Sequence, residues 1–440
     1  MIAASKQDWN LGMEFYITDA PGCPGRLRLI PEDFHVEEIY PDLKYEGGRY
    51  LILEVEKRDW DTHHLIRELA RQLRISQRRF SWAGTKDKRA VTKQRISIMN
   101  LQESNLSRIT LPDINIRVLG RTNRNIGLGD LLGNRFRIKI REIDCPNPKH
   151  RMERITEEIF ENGGVPNYFG VQRFGDIRPI THKVGEALVH GKLEEAIFIY
   201  LAMPFPSEPE ATRRARQDLW ESRDILRSAK SYPAYLRYEL AILNYLVEKP
   251  GDIAGSFNVL SPNLRRMFVH AYQSYIFNRI LSQRMLRGLT LKGAIEGDII
   301  CFASGDLPDA NKLQHVTPAN LDAVNRLIDR RRAFVTLPLI GFETHLASGT
   351  EGEIEEEILE KEGLTLEHFR VAENVELGSR GARRPALIPV VPSIKIEGNC
   401  AVMEFFLSPG SYATVVLREY MKTGSLMEKE YPPREEFMGN

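Results

Sequence analysis

The hydrophobic period of this chain changes twice, and that constrains its fold more than any other feature. YLILEV (50–55), VTKQRISI (91–98), NRFRIKIREI (134–143) and AVMEFFL (401–407) alternate apolar and polar residues. A period of two sends successive side chains to opposite faces of a strand, so each segment can bury one face of a sheet. From about residue 181 to 286, Leu188, Ile197, Leu201, Leu226, Leu240, Leu243, Leu246, Met267, Ile276 and Ile280 recur at helical spacings instead. Strands, then helices, then strands again predict a sheet-based domain interrupted by an inserted one. The 440 residues exceed what a single hydrophobic core usually organises, which also points to two domains.

Local signals fill in the pattern. LRLIPEDFHVEEIY (27–40) reads as a strand broken at Pro31, and DTHHLIRELARQLRI (61–75) as a helix capped by Asp61 or Thr62, with Leu65, Leu69 and Leu73 on one stripe. Residues 79–82 form a short strand candidate before the Gly84–Arg89 turn, and 151–161 a helix stopped by Gly163-Gly164-Val165-Pro166. Further strands are expected at 297–303, 333–340, 386–391 and 393–397, and helices at 320–330, 351–362 and from Thr414. GSRGARRP (378–385) reads as a basic turn.

Charge is nearly balanced, with 61 Lys and Arg against 60 Asp and Glu. The average hides asymmetry: RVLGRTNRNIGLGDLLGNRFRIKIR (117–141) is basic, EGEIEEEILEKE (351–362) acidic. No apolar run is long enough to span a bilayer and the N-terminal residues carry no apolar signal core, so a cytoplasmic protein is expected. The cysteines, Cys23, Cys145, Cys301 and Cys400, form no CxxC pair and have no His at ligand spacing. Neither a disulfide framework nor a metal site is expected from them.

Three stretches offer chemistry. GLGDLLG (127–133) approaches the dinucleotide-binding fingerprint, but polar residues precede it and a strand pattern follows, so no helix N-terminus waits for a pyrophosphate. The basic residues around it fit either a solvated hairpin or phosphate contacts along an RNA backbone. Arginines beside aromatics in NYFGVQRFG (167–175), LRRMFVHAYQSYIFN (264–278) and GSRGARRP favour RNA, whose unstacked bases are held by rings and guanidinium planes. This makes Arg135, Arg265, Arg266, Arg380, Arg383 and Arg384 phosphate-contact candidates, while the rest of AYQSYIFN reads as helix core. The third stretch is FSWAGTKDKRAVTKQ (80–94), where Asp87 sits among Lys86, Lys88, Arg89 and Lys93. Composition alone makes Asp87 a counter-charge in a turn; a working carboxylate needs a rigid turn, a cationic partner and a pocket that excludes water.

The ordered set RLIPEDFHVEEI, AGTKDKRAVTKQ, NYFGVQRFG, LRRMFVHAYQSYIFN, GSRGARRP and FFLSPGSYATVVLREY resembles the TruD family of tRNA pseudouridine synthases, over residues 28–420. The helical stretch RSAKSYPAYLRYELAILNYL (227–246) resembles the archaeal and eukaryotic branch rather than the shorter bacterial form. The resemblance implies an α/β (α+β) protein: a pseudouridine synthase catalytic domain with a mixed, mainly antiparallel sheet, formed by 1–175 and 385–440 and interrupted by an inserted α/β domain at 176–384.

It also implies isomerisation of uridine to pseudouridine, typically at position 13 in the tRNA D arm. Substrate and product contain the same atoms, so no cofactor or metal is expected; tRNA is the partner, there is none in a membrane, and the chain is expected to be a monomer. Asp87 matches the family's catalytic aspartate, acting as nucleophile at C1′ or as base at C2′, and either role requires the carboxylate form. Arg28 stands where the bacterial form has lysine and is the expected partner of Asp87. Phe34, Asn167, Phe169 and Tyr412 match residues around the target uridine, Phe169 stacking on the flipped base and Tyr412 replacing a bacterial phenylalanine. Lys86, Lys88 and Arg89 are expected to contact phosphates near the extruded nucleotide. The competing readings are an RNA-binding protein without catalysis and, less well supported, an RNA methyltransferase, for which the Gly127 region supplies no donor site.

Overall fold

The computed structural model describes residues 2–305, 307–371 and 374–423. The chain opens with one helical turn, α1 (Lys6–Trp9), and a two-residue strand, β1 (Arg26–Leu27). The Pro31 turn leads into β2 (Phe34–Ile39), followed by β3 (Tyr50–Arg58). Asp61 then caps α2 (Thr62–Leu73) by accepting from the His64 amide at 2.9 Å. The buried stripe of α2 is Leu65, Ile66, Leu69 and Leu73. β4 (Phe80–Trp82), β5 (Val91–Met99), β6 (Ile114–Thr122) and β7 (Gly133–Arg141) follow, then α3 (Pro148–Glu161) and the two-residue β8 (Val165–Pro166).

The helical block is α4 (Thr181–Val189), α5 (Leu193–Ala202), α6 (Glu210–Ser222), α7 (Ile225–Ser231), α8 (Arg237–Glu248), α9 (Ile253–Asn258) and α10 (Pro262–Leu286). Strands return with β9 (Ile299–Ser304) and β10 (Leu307–His315), and α11 (Leu321–Asp329), β11 (Ala333–Leu339) and α12 (Gly349–Lys361) continue. The described chain closes with β12 (Ala382–Pro385), β13 (Leu387–Ile388), β14 (Ser393–Glu397), β15 (Cys400–Leu407) and α13 (Ala413–Met421).

Contacts divide the described chain into two units, residues 18–165 with 388–423, and residues 2–17 with 166–387. The first is built on a sheet ordered β14-β15-β7-β2-β5-β3-β6, with β1 on β7 and β4 on β5. Only β2 and β5 run parallel among these pairs. Its core lies where α2 covers β3 and β5: Leu51, Leu53, Val55, Leu65, Leu69, Ile96 and Ile98 are shut off from solvent. The second unit holds the helical block α4–α10, with α1, α11 and α12, and a four-stranded sheet ordered β10-β9-β11-β12. Its axis is α10, which buries Phe268, Ala271, Tyr272, Ile276, Phe277 and Ile280. Gly185 lets α4 approach it, since a Cβ there would lie 2.1 Å from the Phe268 carbonyl oxygen.

Four expectations change. Cys23 and Cys145 form a disulfide, 122 residues apart in sequence with Cα atoms 5.3 Å apart, although their spacing carries no motif; Cys301 and Cys400 are free and buried. The basic stretch 117–141 is not a hairpin: β6 pairs with β3, whereas β7 lies between β2 and β15. Of 386–391 only Leu387–Ile388 is a strand, because Pro389 and Pro392 lack the amide a ladder needs. The end of the expected basic turn is β12, paired with β11 from Thr336–Pro385 to Leu339–Ala382.

Candidate active site

Asp87 lies in the turn between β4 and β5, its side chain 46% exposed. Arg28 Nη2 donates to its Oδ2 at 2.9 Å from a side chain only 13% exposed. The Arg28 backbone has φ +56°, a left-handed conformation that costs a residue with a Cβ about 1 kcal/mol. Such strain persists where the surroundings impose it. Here the guanidinium carbon sits 3.9 Å from the centroid of the buried Phe34 ring, which meets Phe136 edge to face at 6.2 Å. Phe34 is thus the floor, Arg28 the layer above it, and the Asp87 carboxylate the group that Arg28 presents.

The turn itself is tied down residue by residue. The Gly84 carbonyl accepts from Gln94 Nε2 at 3.3 Å, the Lys86 amide donates to Thr62 Oγ1 at 3.0 Å, and the Ala90 carbonyl accepts from the Asp59 amide at 3.1 Å. The Asp87 carbonyl accepts from Lys57 Nζ at 3.3 Å. Beneath it, Lys86 Nζ lies 2.5 Å from Glu38 Oε1, with side chains 8% and 0% exposed. The Tyr40 hydroxyl donates to the other Glu38 oxygen and accepts from the Arg95 amide at 2.9 Å. Burial holds the Glu38 carboxyl above its usual range, against the opposing pull of Lys86.

Lys86 therefore does not present its ammonium to solvent as a phosphate contact would; a buried carboxylate engages it. Lys88 and Arg89 are exposed on the same turn. In the same unit Arg135 is exposed and 3.3 Å from Glu37, and Tyr412 is half-buried as the residue that precedes α13.

In the second unit the Asn167 amide nitrogen donates to the Pro385 carbonyl at 2.8 Å, and Arg384 Nε donates to the Asn167 carbonyl at 3.2 Å. The Arg384 guanidinium covers the Phe169 ring at 4.2 Å, and the ring meets Phe277 edge to face at 5.5 Å. Asn278 anchors Phe169 through both its backbone amide and carbonyl, at 2.8 and 3.0 Å. Arg266 and Arg380 are exposed. Arg265 and Arg383 are not: Arg265 is buried on Glu376 and Asn258, and Arg383 donates to the Thr336 and His345 carbonyls and to Glu355. Both arginines tie internal segments together, which their basic sequence context did not reveal.

Sequence reasoning missed Lys57, Glu38, Thr62 and Gln94. One signal was available for Lys57. It shares the period-two face of Leu51, Leu53 and Val55, so a lysine falls at a core position. Among the described residues, no group of three or more His, Cys, Asp or Glu side chains is placed to hold a metal, and no helix is long and apolar enough to cross a membrane.

Residues 10–420 match the family model described as tRNA pseudouridine synthase D (TruD). The chain is similar to a probable tRNA pseudouridine synthase D of Methanococcoides burtonii, 48% identical over 94% of this chain and 97% of the relative. A counterpart from Archaeoglobus fulgidus is 40% identical over 94% and 98%. A solved structure titled as a putative tRNA pseudouridine synthase D from Methanosarcina mazei aligns with a TM-score of 0.86 and 47% identity, covering 97% of this chain and all of that one.

Proposed function

The chain belongs to the TruD family of tRNA pseudouridine synthases, and from that premise we propose that it isomerises uridine to pseudouridine at position 13 of the tRNA D arm, with Asp87 acting on the ribose. The carrying observation is the 2.9 Å Arg28–Asp87 pair on a turn anchored from Gly84 to Ala90. A guanidinium hydrogen-bonded to one carboxylate oxygen holds the group in place and leaves the other oxygen for attack at C1′ or proton removal at C2′. In the reaction the N1–C1′ bond breaks, the uracil turns while held, C5 bonds to C1′, and the C5 hydrogen leaves to solvent as N1 gains a proton. Every heavy atom of the base is retained and one proton is exchanged with solvent, so the chain's task is positioning and charge.

Phe34 supports this reading as the platform of Arg28, and Asn167, Phe169 and Tyr412 are candidate uridine contacts on the strength of the family motifs they occupy. Lys88, Arg89, Arg135, Arg266, Arg380 and Arg384 are candidate phosphate contacts. The sheet of residues 18–165 and 388–423, which carries Asp87, is read as the catalytic domain, interrupted by the helix-rich one.

The test is tritium release from tRNA labelled at uridine C5. Wild type should release it without added cofactor, and Asp87→Ala should be slower by at least about a thousandfold while binding tRNA normally. Absence of release by wild type across a set of unmodified tRNAs rejects the activity; release retained by Asp87→Ala rejects the assignment of that residue.

A further inference from the structure

We propose that Lys57 is a positioning residue for this reaction, a buried cation that fixes the backbone of the catalytic turn and so aims Asp87. The inference rests on the reading of Asp87 given above and concerns a residue outside the matched motifs.

Lys57 stands near the end of β3, opposite Thr92 of β5 and Ile114 of β6, and is wholly shut off from solvent. Its side chain emerges on the face lined by Leu51, Leu53 and Val55, where an apolar residue would fill the core without desolvating a charge. Taking an ammonium out of water is costly unless it gains partners. The partners here are two main-chain carbonyls, Trp60 at 2.5 Å and Asp87 at 3.3 Å. Trp60 precedes the capped start of α2, whose Thr62 hydroxyl receives the Lys86 amide. One ammonium thus joins the α2 entry to the Asp87 main chain, while Arg28 grips the Asp87 carboxylate from the other side. With both ends of one residue held by cations, its carboxylate has little room to swing.

The charged groups around Lys57 are Asp61 before α2, Asp87 and Lys86 in the turn, and Glu38 of β2. Burial pushes the ammonium down to about 8, against the pull of Asp61 and Asp87. The group is therefore charged at neutral pH and loses its proton as the pH rises through about 8, which weakens the donor that the turn leans on.

The experiment compares wild type, Lys57→Met and Lys57→Arg in single-turnover tritium release from pH 6.5 to 9.5, with tRNA affinity and hydrogen exchange at 84–90 measured alongside. Lys57→Met should be at least about tenfold slower, with affinity within about twofold and exchange at 84–90 at least about tenfold faster. The wild-type rate should fall as the pH passes about 8. Lys57→Arg, whose guanidinium stays charged, should lack that fall. An unchanged rate in Lys57→Met, unchanged exchange at 84–90, or identical alkaline limbs in wild type and Lys57→Arg each overturns the proposal. No release by any of the three enzymes rejects instead the activity on which it rests, and the exchange measurement still decides whether Lys57 holds the turn.

Discussion

Lys86→Met is the perturbation whose size the structure bounds best. It removes the ammonium 2.5 Å from Glu38 and leaves a carboxylate with no exposure of its own. Breaking a buried pair from one side usually costs about 3–5 kcal/mol. Glu38, however, has an escape: it can take up a proton. At pH 7 that costs about 1.36 kcal/mol for each unit above the ordinary value of 4.5, or about 3.4 kcal/mol, which caps the stranded-charge penalty. At pH 5.5 the same arithmetic gives about 1.4 kcal/mol. The sign follows from the raised carboxyl of the folded state: the folded chain holds this proton longer than the unfolded one, so the penalty grows as pH rises from 4.5 and shrinks as it falls. Urea unfolding at both pH values would measure it, in a Trp9→Phe/Trp220→Phe background where emission comes from Trp60 and Trp82 of the sheet unit. We expect a loss of about 2–3 kcal/mol at pH 7 and about half that at pH 5.5, largely recovered by adding Glu38→Gln. Equal losses at the two pH values, or a loss below about 1 kcal/mol at pH 7, would refute the reasoning.

Lys88→Ala, on the exposed part of the same turn, should leave stability within about 0.5 kcal/mol. It should lower the slope of log affinity for tRNA against log salt by about 0.7–0.9, and an unchanged slope removes Lys88 from the phosphate contacts. Arg28→Gly should separate strain from function. Relief of the left-handed backbone, about 1 kcal/mol, offsets the lost stacking on Phe34, so the melting temperature should barely move while tritium release drops at least about a hundredfold; parallel losses would contradict this. Cys23→Ser opens a link closing a loop of 122 residues and should cost about 3–5 kcal/mol, read as a lower urea midpoint that reductant does not lower further.

Much of the fold was legible because one face of each main element is buried. Alternation located β3, β5, β7 and β15, and the Asp61 cap with its leucine stripe located α2. What stayed hidden depends on partners distant in sequence. The Cys23–Cys145 link spans 122 residues and no local rule pairs them. Arg383 looks like its exposed neighbour Arg380, yet pairing of β12 with β11 turns it inward onto Thr336 and Glu355. In the site, Asp87 and its motif could be named, and Arg28 proposed as its partner, but what holds the turn could not. Glu38 reads as one of two adjacent glutamates in a strand; only the parallel β2–β5 pairing sets that strand beside β5, which the turn enters.

The basic look of AGTKDKRAVTKQ therefore hides a division of labour by depth. Lys86 and Lys57 are out of solvent and act on the main chain and on Glu38, Arg28 is mostly covered and acts on the carboxylate, and Lys88 and Arg89 reach water. In water a lysine beside an aspartate contributes little and is screened by salt, whereas a buried one is held in place by everything packed around it. The three depths should consequently fail in three different measurements: folding stability for Lys86, the rate for Arg28 and Lys57 with an alkaline limb for Lys57, and the salt slope for Lys88. If all the basic residues of the turn shifted only the salt slope, the turn would be a solvated loop and Asp87 its counter-charge.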